Sequence, residues 1–375
     1  MCKNTYDADQ VNSYCPECTQ PLVARYNLEK GLSKAILKDR PLNMWRYQEV
    51  LPIKDSKHIV CLGEGMTPLT EADHMASDLG VKRLQIKNEE GNPTGSFKAR
   101  GLSMAVSKAY ELGISEFCIP TAGNAGSALS AYVAKMKGVA HVFMPEATPE
   151  VFQIDCEIMG ANVRKINGTI KDAGGAMAAE NKDGKWWDVT TLKEPFRLEG
   201  KKTMGYEIAE QLNWQLPDVI IYPTGGGTGL IGIWKAFQEM KELGWIDSIP
   251  TRMVAIQTTG CNPVVEAFNE GLDHTGVYEN PAVTIANGLR VPKAFGDRLI
   301  MSTLYESNGY ALDCSDDEIR EAMSLCARQE GLFLSPEGAA VVKAAYKLKD
   351  SGFIKETDHV VLLNTGSAYK YVENL

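Results

Sequence analysis

The 375-residue chain contains no long apolar run, no charged-then-apolar leader and no excess of basic residues. A helix that spans a bilayer needs about 20 predominantly apolar residues, and no stretch approaches that length. The formal net charge is −9, and the lysines and arginines are dispersed along the chain, which argues against a surface that binds nucleic acid or an acidic membrane. We therefore expect a cytoplasmic protein that binds a small molecule and neither nucleic acid nor a membrane.

The sequence also lacks a fixed-period repeat and a low-complexity linker, so any second domain would be inserted within the first. A chain of 375 residues with 44% hydrophobic residues can form two cores. Beyond residue 84, short apolar segments alternate with helical patterns of about a dozen residues. The predicted strands are 84–87, 116–120, 139–144, 162–166, 219–222 and 253–256. This alternation predicts an α/β fold with parallel sheets and helices on both faces.

Nine cysteines are present, and two of them form a CxxC pair. Cys15 and Cys18 have the spacing of a zinc-ribbon knuckle, and Cys2 lies upstream, where one member of a second pair would stand. Thr5 occupies the position of that member's expected partner. We therefore interpret residues 1–30 as a degenerate zinc-ribbon-like head. Its three cysteines are zinc candidates, but we predict no metal in the protein.

Residues 92–101, with the sequence NPTGSFKARG, place one lysine behind a glycine turn and just before an amphipathic helix. An aldehyde cofactor such as pyridoxal phosphate needs a lysine that is held in position and partly desolvated, because the amine forms a Schiff base. Lys98 is therefore a candidate catalytic and cofactor-binding residue. The alternative is a solvated lysine at a helix start.

Three strand-like segments end in a threonine followed by a turn that contains glycine, at positions 121–126, 224–229 and 365–366. Ligands of doubly wound folds bind beyond the carboxyl ends of the strands. The turn at 224–229 has four glycines in five positions and precedes a helix, which predicts a phosphate site built from backbone N–H groups. The same region reads GxGxxG, but the next strand runs into Gln257, where a dinucleotide site normally presents an acid.

With these motifs in order, the chain resembles the threonine synthases, which are fold-type II pyridoxal-phosphate enzymes with a tryptophan synthase β-like fold. The resemblance covers nearly the whole chain and includes the head, Met44-Trp45-Arg46-Tyr47, Gly63-Glu64-Gly65, Thr67-Pro68-Leu69, the lysine motif and the three turns. It implies a large cofactor-binding domain at 31–105 and 205–375, a smaller inserted domain at 106–204, pyridoxal 5'-phosphate as the cofactor, and a homodimer.

The resemblance also implies roles for individual residues. Lys98 would bind the cofactor and move protons, Asn124 would contact the 3' oxygen of its ring, and Thr365 would face the pyridine nitrogen. The cofactor phosphate would contact Gly225, Gly226, Gly227, Thr228 and Gly229. The substrate carboxylate would contact Ser96, Thr121, Ala122, Gly123, Asn124 and Ala125. Glu337 would lie beside the cofactor and bind the substrate, although helix capping alone would account for a glutamate there.

A threonine synthase converts O-phosphohomoserine and water to threonine and phosphate by γ-elimination and β-addition of water. A phosphorylated amino acid requires a second phosphate-binding group in addition to the glycine turn. Arg290 is the candidate, because a guanidinium suits a dianion better than a lone lysine does. Lys293 and Asn287 lie close to it in sequence.

Three positions depart from the usual threonine synthase pattern. Ala99 follows the lysine where many members have aspartate. Val-Pro-Lys-Ala follows Arg290 where many have isoleucine-glycine-asparagine-proline, and Thr-Ala-Gly precedes Asn124 in place of Ser-Thr-Gly. These departures leave open a β-elimination or β-replacement enzyme, such as a serine or threonine ammonia-lyase or a phosphoserine-using synthase such as cysteate synthase. A regulatory protein without catalysis is a further alternative, which Lys98 argues against.

Overall fold

The computed structural model describes residues 2–28 and 32–374, and the chain divides into two compact units. The first unit comprises Met1–Asn27, Ala35–Gly65 and Asn92–Thr203. The second unit comprises Leu28–Lys34, Met66–Gly91 and Met204–Leu375. Each unit is built on its own sheet.

The described residues form ten strands: β1 Leu69–Glu71, β2 Arg83–Asn88, β3 Glu116–Pro120, β4 Val139–Pro145, β5 Asn162–Ile166, β6 Trp187–Asp188, β7 Val219–Pro223, β8 Arg252–Thr258, β9 Tyr310–Cys314 and β10 His359–Asn364. The α-helices are α1 Asp73–Leu79, α2 Lys98–Glu111, α3 Asn124–Met136, α4 Glu150–Ile158, α5 Ile170–Glu180, α6 Phe196–Gln211, α7 Thr228–Glu242, α8 Pro263–Asn269, α9 Asp297–Glu306, α10 Asp316–Glu330 and α11 Pro336–Asp350. Short 3-10 helices cover Lys34–Leu37, Met44–Val50, Ser56–His58, Glu89–Gly91, Pro93–Gly95, Asn287–Leu289, Ala368–Lys370 and Val372–Asn374.

The sheet of the second unit has six strands in the order β1-β2-β10-β7-β8-β9, and the sheet of the first unit has four in the order β5-β4-β3-β6. All neighbouring strands are parallel except β1, which runs antiparallel to β2. Every residue of β7 is buried, as expected for a strand of a parallel sheet that is covered on both faces. The predicted α/β fold with parallel sheets is confirmed.

The positions of the predicted strands agree closely with the observed ones. The segments 116–120 and 162–166 are found as predicted, and the other four predicted strands are longer by one to three residues. The antiparallel edge strand β1 was not predicted, because its three residues are too few to show a period of two. No helix in the described part of the chain is long and apolar enough to cross a membrane.

The predicted domain boundaries remain a proposal. The predicted inserted domain, 106–204, contains the whole four-stranded sheet, and the first unit also takes in 35–65 and 92–105. The predicted boundary between the head and the large domain, at residues 30 and 31, lies outside the described residues.

The helix termini of the second unit show why its helices begin where they do. Ser315 precedes α10 and forms a capping box with Glu318, in which each side chain accepts a hydrogen bond from the other residue's backbone N–H. Ser335 precedes α11 and accepts a hydrogen bond from the N–H of Gly338 at 3.1 Å. Pro336, the first residue of α11, has no N–H to leave unsatisfied. Local sequence therefore determines the start of both helices.

Candidate functional site

Lys98 is the first residue of α2 and follows a turn with two left-handed residues. Thr94 and Gly95 have φ of 64° and 65°. This conformation costs a non-glycine residue about 1–3 kcal/mol, so surrounding structure must impose it on Thr94. Lys98 is half-buried, and its Nζ lies 4.4 Å from the centre of the Phe97 ring. The turn therefore holds the amine in a partly desolvated position, which reaction with an aldehyde requires.

A second lysine, Lys201 of α6, lies at the same aromatic ring. Its side chain is fully buried, and its Nζ is 3.5 Å from the centre of the Phe97 ring. The two Nζ atoms can be no more than about 8 Å apart, because both lie close to one point. The sequence analysis missed Lys201, because it lies inside a helix far along the chain and no strand end or turn marks it.

Two glycines allow α2 and the first part of α6 to approach closely. A side-chain carbon at Gly200 would lie 2.1 Å from the carbonyl oxygen of Arg100. One at Gly101 would lie 2.8 Å from Cε of Lys201. The guanidinium of Arg100 also donates a hydrogen bond to Oγ1 of Thr203 at 3.0 Å. These contacts position the helix that begins at Lys98.

The turn after β3 lies in the same unit as Lys98 and leads into α3. Thr121 Oγ1 donates to the carbonyl of Gly123 at 3.2 Å and accepts from its N–H at 3.3 Å, which closes the turn. Asn124 is the first residue of α3 and is half-buried, as are Ala122, Gly123 and Ala125. Helix α3 packs against α2 and contacts the turn that precedes Lys98. The structure thus brings two of the predicted motifs together within the first unit.

The glycine turn lies in the second unit, between β7 and α7. Gly227 precedes the 15-residue helix α7 with φ of 73°, in the left-handed region that favours glycine. A side-chain carbon at Gly225 would lie 2.3 Å from the carbonyl oxygen of Gly288. One at Gly227 would lie 2.3 Å from Cγ1 of Ile300, and one at Gly229 would lie 2.0 Å from Oη of Tyr222. Only glycine fits these three positions. The turn therefore places closely packed glycine backbone at the positive end of α7, the end of a helix that attracts anions.

Tyr222 and Gln257 support the glycine turn from neighbouring strands. Burial raises the pKa of the Tyr222 hydroxyl well above its ordinary value, so this group stays protonated beside Gly229. The side-chain amide of Gln257 donates to the carbonyl of Thr224 at 3.1 Å, and its oxygen accepts from the N–H of Val264 at 2.8 Å. Gln257 therefore stabilises the turn and occupies the position where a dinucleotide site would need an acid.

Thr365 follows β10, which is the neighbour of β7 in the sheet. Leu362 pairs with Ile221, so the two strands end at the same edge of the sheet. Asn364 Oδ1 accepts hydrogen bonds from the N–H and the hydroxyl of Ser335, at 3.3 Å and 3.2 Å. This network joins the start of α11 to the end of β10. Thr365 itself is buried and lies directly after Asn364, the last residue of β10.

Arg290 lies in the segment 288–291 that contacts Gly225, and Glu337 binds that segment. The Glu337 carboxylate accepts a hydrogen bond from the N–H of Gly288 at 2.8 Å. Arg290 donates one hydrogen bond, from Nη2 to the carbonyl of Pro281 at 2.7 Å, and its Nε is buried without a partner among the described residues. Glu337 thus holds the segment that contacts Gly225, a structural role that the sequence analysis did not foresee. Its predicted role toward the substrate remains a prediction.

Lys293 is engaged in an ion pair. Its Nζ contacts the carboxylate of Asp297, four residues on at the start of α9, and it also donates to Thr275. The Asp297 carboxylate in turn accepts from the N–H of Thr275 at 2.9 Å. Because its charge is balanced within this cluster, Lys293 is a weaker candidate for a ligand phosphate than Arg290.

The surroundings of Ala99 give a structural reason why this chain lacks the aspartate that many threonine synthases have after the lysine. Its side chain is fully buried in an apolar cluster that includes Met44, Trp45 and Leu102. An aspartate there would place a carboxylate among these apolar side chains. The position therefore reflects the packing of this chain.

Ala99→Asp is expected to destabilise the protein by about 3–5 kcal/mol, because an uncompensated charge would be buried. Chemical denaturation measures this loss. Ala134→Asp is the matched control, since Ala134 is exposed on α3, and its effect should stay within about 1 kcal/mol. Equal losses for the two variants would show that the cluster around Ala99 accommodates a carboxylate.

Comparison with known proteins agrees with this geometry. Residues 60–366 match the family described as pyridoxal-phosphate dependent enzyme. The chain is 37% identical over 373 residues to the threonine synthase of Methanocaldococcus jannaschii, which covers 98% of this chain and 91% of that protein. It is 35% identical over 371 residues to the threonine synthase of Methanosarcina acetivorans, with 98% and 90% covered. These matches confirm pyridoxal phosphate as the cofactor.

Solved structures share the fold. The processed form of threonine deaminase isoform 2 from Solanum lycopersicum has a TM-score of 0.70 at 19% identity, with 97% of each chain covered. Serine racemase from Dictyostelium discoideum has a TM-score of 0.66 at 24% identity, with 80% of this chain and 92% of that chain covered. At such identities the likeness concerns the fold alone, and it confirms the predicted fold type. The chain therefore belongs to the pyridoxal-phosphate-dependent enzymes, and within them to the threonine synthase family.

Proposed function

We propose that the protein is a threonine synthase that converts O-phosphohomoserine and water into threonine and phosphate. The observation that carries this proposal is the 37% identity to a threonine synthase over 98% of the chain. The lysine turn and the glycine turn both lie within that aligned length. Solved structures of threonine deaminase and serine racemase share the fold, so the fold by itself does not select the substrate.

The residues present fit the cofactor. Gly225, Gly227 and Gly229 pack too closely against Gly288, Ile300 and Tyr222 to carry a side chain, and the backbone N–H groups at the start of α7 would bind the cofactor phosphate. Lys98 is half-buried behind a strained turn and would bind the aldehyde. When bound, pyridoxal phosphate supplies the electron sink that stabilises a carbanion at the substrate's α carbon.

The protein's own residues would bind the substrate and move its protons. Lys98, once its amine is free, would remove and return protons at the α and β carbons. The hydroxyl of Ser96 and the N–H groups of residues 121–125 would bind the substrate carboxylate. Asn124 would orient the cofactor ring through its 3' oxygen, and the hydroxyl of Thr365 would donate to an unprotonated ring nitrogen. Phosphate then leaves the γ carbon, and water adds at the β carbon.

Arg290 is the group we propose for the phosphate of the substrate. One of its donors is bound to Pro281, and Nε is buried without a partner among the described residues. A buried guanidinium donor left open in this way is costly unless a ligand accepts from it. A substrate phosphate would supply that acceptor.

The experiment that tests the function mixes the cofactor-loaded protein with O-phosphohomoserine and measures phosphate and threonine together. Matched release of both products would support the proposal. Release of phosphate with a ketoacid and ammonia, or turnover of serine, threonine or phosphoserine instead, would replace it with the β-elimination or β-replacement alternative.

Arg290→Gln should raise the KM for O-phosphohomoserine while the cofactor absorbance is unchanged.

Ser96→Ala provides a sharper test of the carboxylate site. The Ser96 hydroxyl is fully buried and has no hydrogen-bond partner in the described part of the chain. Its removal should leave the free energy of unfolding within about 0.5 kcal/mol of wild type, because no hydrogen bond within the protein is lost. The KM for the substrate should rise about 10- to 100-fold, as expected for a lost hydrogen bond to a charged group.

Ser103→Ala is the control for this prediction, because the Ser103 hydroxyl is also fully buried but has two hydrogen-bond acceptors, the carbonyl of Val60 at 2.8 Å and the carboxylate of Glu64. This variant should lose about 1–2 kcal/mol of stability and keep its KM. If Ser96→Ala instead destabilised the protein and left KM unchanged, the hydroxyl would have a structural role only.

We also propose that the enzyme is a cytoplasmic homodimer, as the family resemblance implies. Light scattering of the purified protein at several concentrations would determine the oligomeric state. A mass of one chain under all conditions would contradict the dimer.

A further inference from the structure

The head of the protein gathers three cysteines that lie apart in sequence. Cys2 Sγ is 3.6 Å from Cys15 Sγ and 3.3 Å from Cys18 Sγ, and the three sulfur atoms all lie within 4.8 Å of one another. Cys15 is buried, Cys18 is half-buried and Cys2 is exposed. The CxxC pair is thus joined by a third thiol from the other end of the segment.

The spacing of the sulfur atoms matches the ligand set of a tetrahedral metal ion. Zinc bound by thiolates at about 2.3 Å requires neighbouring sulfur atoms to lie about 3.8 Å apart. A disulfide would require about 2.0 Å between two of them and would leave the third unused. The observed separations resemble one triangular face of a zinc tetrahedron, with the fourth corner left for another ligand.

The backbone around the CxxC pair has the shape of a metal-binding knuckle. The N–H of Thr19 donates to the carbonyl of Cys15 at 2.9 Å, and the N–H of Cys15 donates to the carbonyl of Gln20 at 2.9 Å. Thr19, directly after the second cysteine, is left-handed with φ of 55°. This conformation is uncommon for a threonine, so the geometry of the loop must impose it on Thr19. The Tyr6 hydroxyl lies 3.1 Å from Cys15 Sγ and supports the same sulfur atom.

The head has little else to order it. Residues 2–28 contain no helix or strand, and most of their side chains are exposed. An ion pair between Asp9 and Lys54 and a 2.7 Å hydrogen bond from Tyr26 to Glu199 are among its contacts with the rest of the first unit. A segment with so few buried apolar groups needs a metal, a disulfide or another constraint to adopt one conformation.

We propose that Cys2, Cys15 and Cys18 bind one zinc ion, with water as the fourth ligand, and that this ion holds the head in its folded form. This reverses the expectation drawn from the sequence, in which Thr5 at the position of a fourth cysteine indicated a site that had lost its metal. Three thiolates are enough to hold zinc when a water completes the tetrahedron. The site is independent of the proposed catalytic function.

The test uses the full-length, cofactor-loaded protein, treated with chelator and then titrated with Co²⁺ and Zn²⁺ under reducing conditions. We expect one metal per chain, a sulfur-to-cobalt charge-transfer band, the intense visible bands of tetrahedral cobalt, and proton release on binding. Loss of an outer-shell partner typically weakens metal binding about 10- to 100-fold. Cys18→Ser removes a direct ligand and should therefore weaken zinc binding by more than that. Cys61→Ser, a half-buried cysteine outside the cluster, is the control and should bind as wild type.

A second measurement keeps the proposal testable if Cys18→Ser changes the fold. Zinc should slow proteolysis within residues 2–28 of the wild-type protein and should have no such effect on the variant, while helix content by circular dichroism is the same in both. Absence of stoichiometric cobalt binding, six-coordinate cobalt spectra, or equal zinc affinity in wild type and Cys18→Ser would each overturn the proposal.

Discussion

Lys98→Ala is expected to lower the rate of threonine formation by about 1,000-fold or more and to abolish the visible absorbance of the bound cofactor. Both effects have one cause, because the same amine would hold the aldehyde and move the substrate's protons. The half-buried position of Lys98 behind a strained turn supports this role. Stopped-flow product assays and absorption spectra of the purified variant provide the measurement.

Lys201 is the residue that could contradict this assignment, since its Nζ lies 3.5 Å from the same Phe97 ring. Reduction of the wild-type enzyme with borohydride attaches the cofactor irreversibly to the lysine that binds it. Peptide mapping should find the label on Lys98. A label on Lys201, or an unchanged absorbance band in Lys98→Ala, would move the role to the buried lysine.

Gly227→Ala is expected to weaken cofactor binding by about 100-fold, because the turn would have to move away from its present geometry. A methyl group there would lie 2.3 Å from Cγ1 of Ile300, whose side chain is fully buried and has little room to move aside. The substitution should also cost about 1–3 kcal/mol of stability from overpacking, in addition to the strain of a left-handed alanine. Equilibrium dialysis of the cofactor and chemical denaturation of the apoprotein measure the two effects.

Gly244→Ala separates the backbone effect from the steric one. Gly244 lies at the other end of the same helix, α7, with φ of 70°, and a methyl group there would have no neighbouring atom within 4 Å. Gly244→Ala should lose only about 1–2 kcal/mol of stability, which is the cost of an alanine in the left-handed conformation, and should retain full cofactor affinity. If both variants bound the cofactor equally well, the glycine turn would not be the phosphate site.

Much of the fold follows from local patterns. The strand at 116–120 was predictable to the residue, because it is a short, mostly apolar run between turn residues. The strand at 162–166 also agrees to the residue, although only Val163 and Ile166 in it are apolar. The helix start at Ser335 was also readable, since serine before proline is a strong start signal. The edge strand β1 was not, because three residues carry too little pattern.

The candidate site was predictable only in part. The lysine motif and the glycine turn are local signals, because steric and electrostatic requirements of an anion or aldehyde site act on adjacent residues. The contact of Lys201 with Phe97 and the hydrogen bond from Gly288 to Glu337 join distant segments. No local spacing predicts such pairs, since they depend on how helices and loops pack.

The α/β alternation, the family, the cofactor and the two motifs that would hold it were all readable from the order of the amino acids. Which groups lie against those motifs became known only from the folded chain: Gly288 against Gly225, Ile300 against Gly227, and Cys2 beside the CxxC pair. Secondary structure and turns depend on neighbours in sequence, whereas these contacts depend on side-chain volumes and chain paths that meet only in the folded protein.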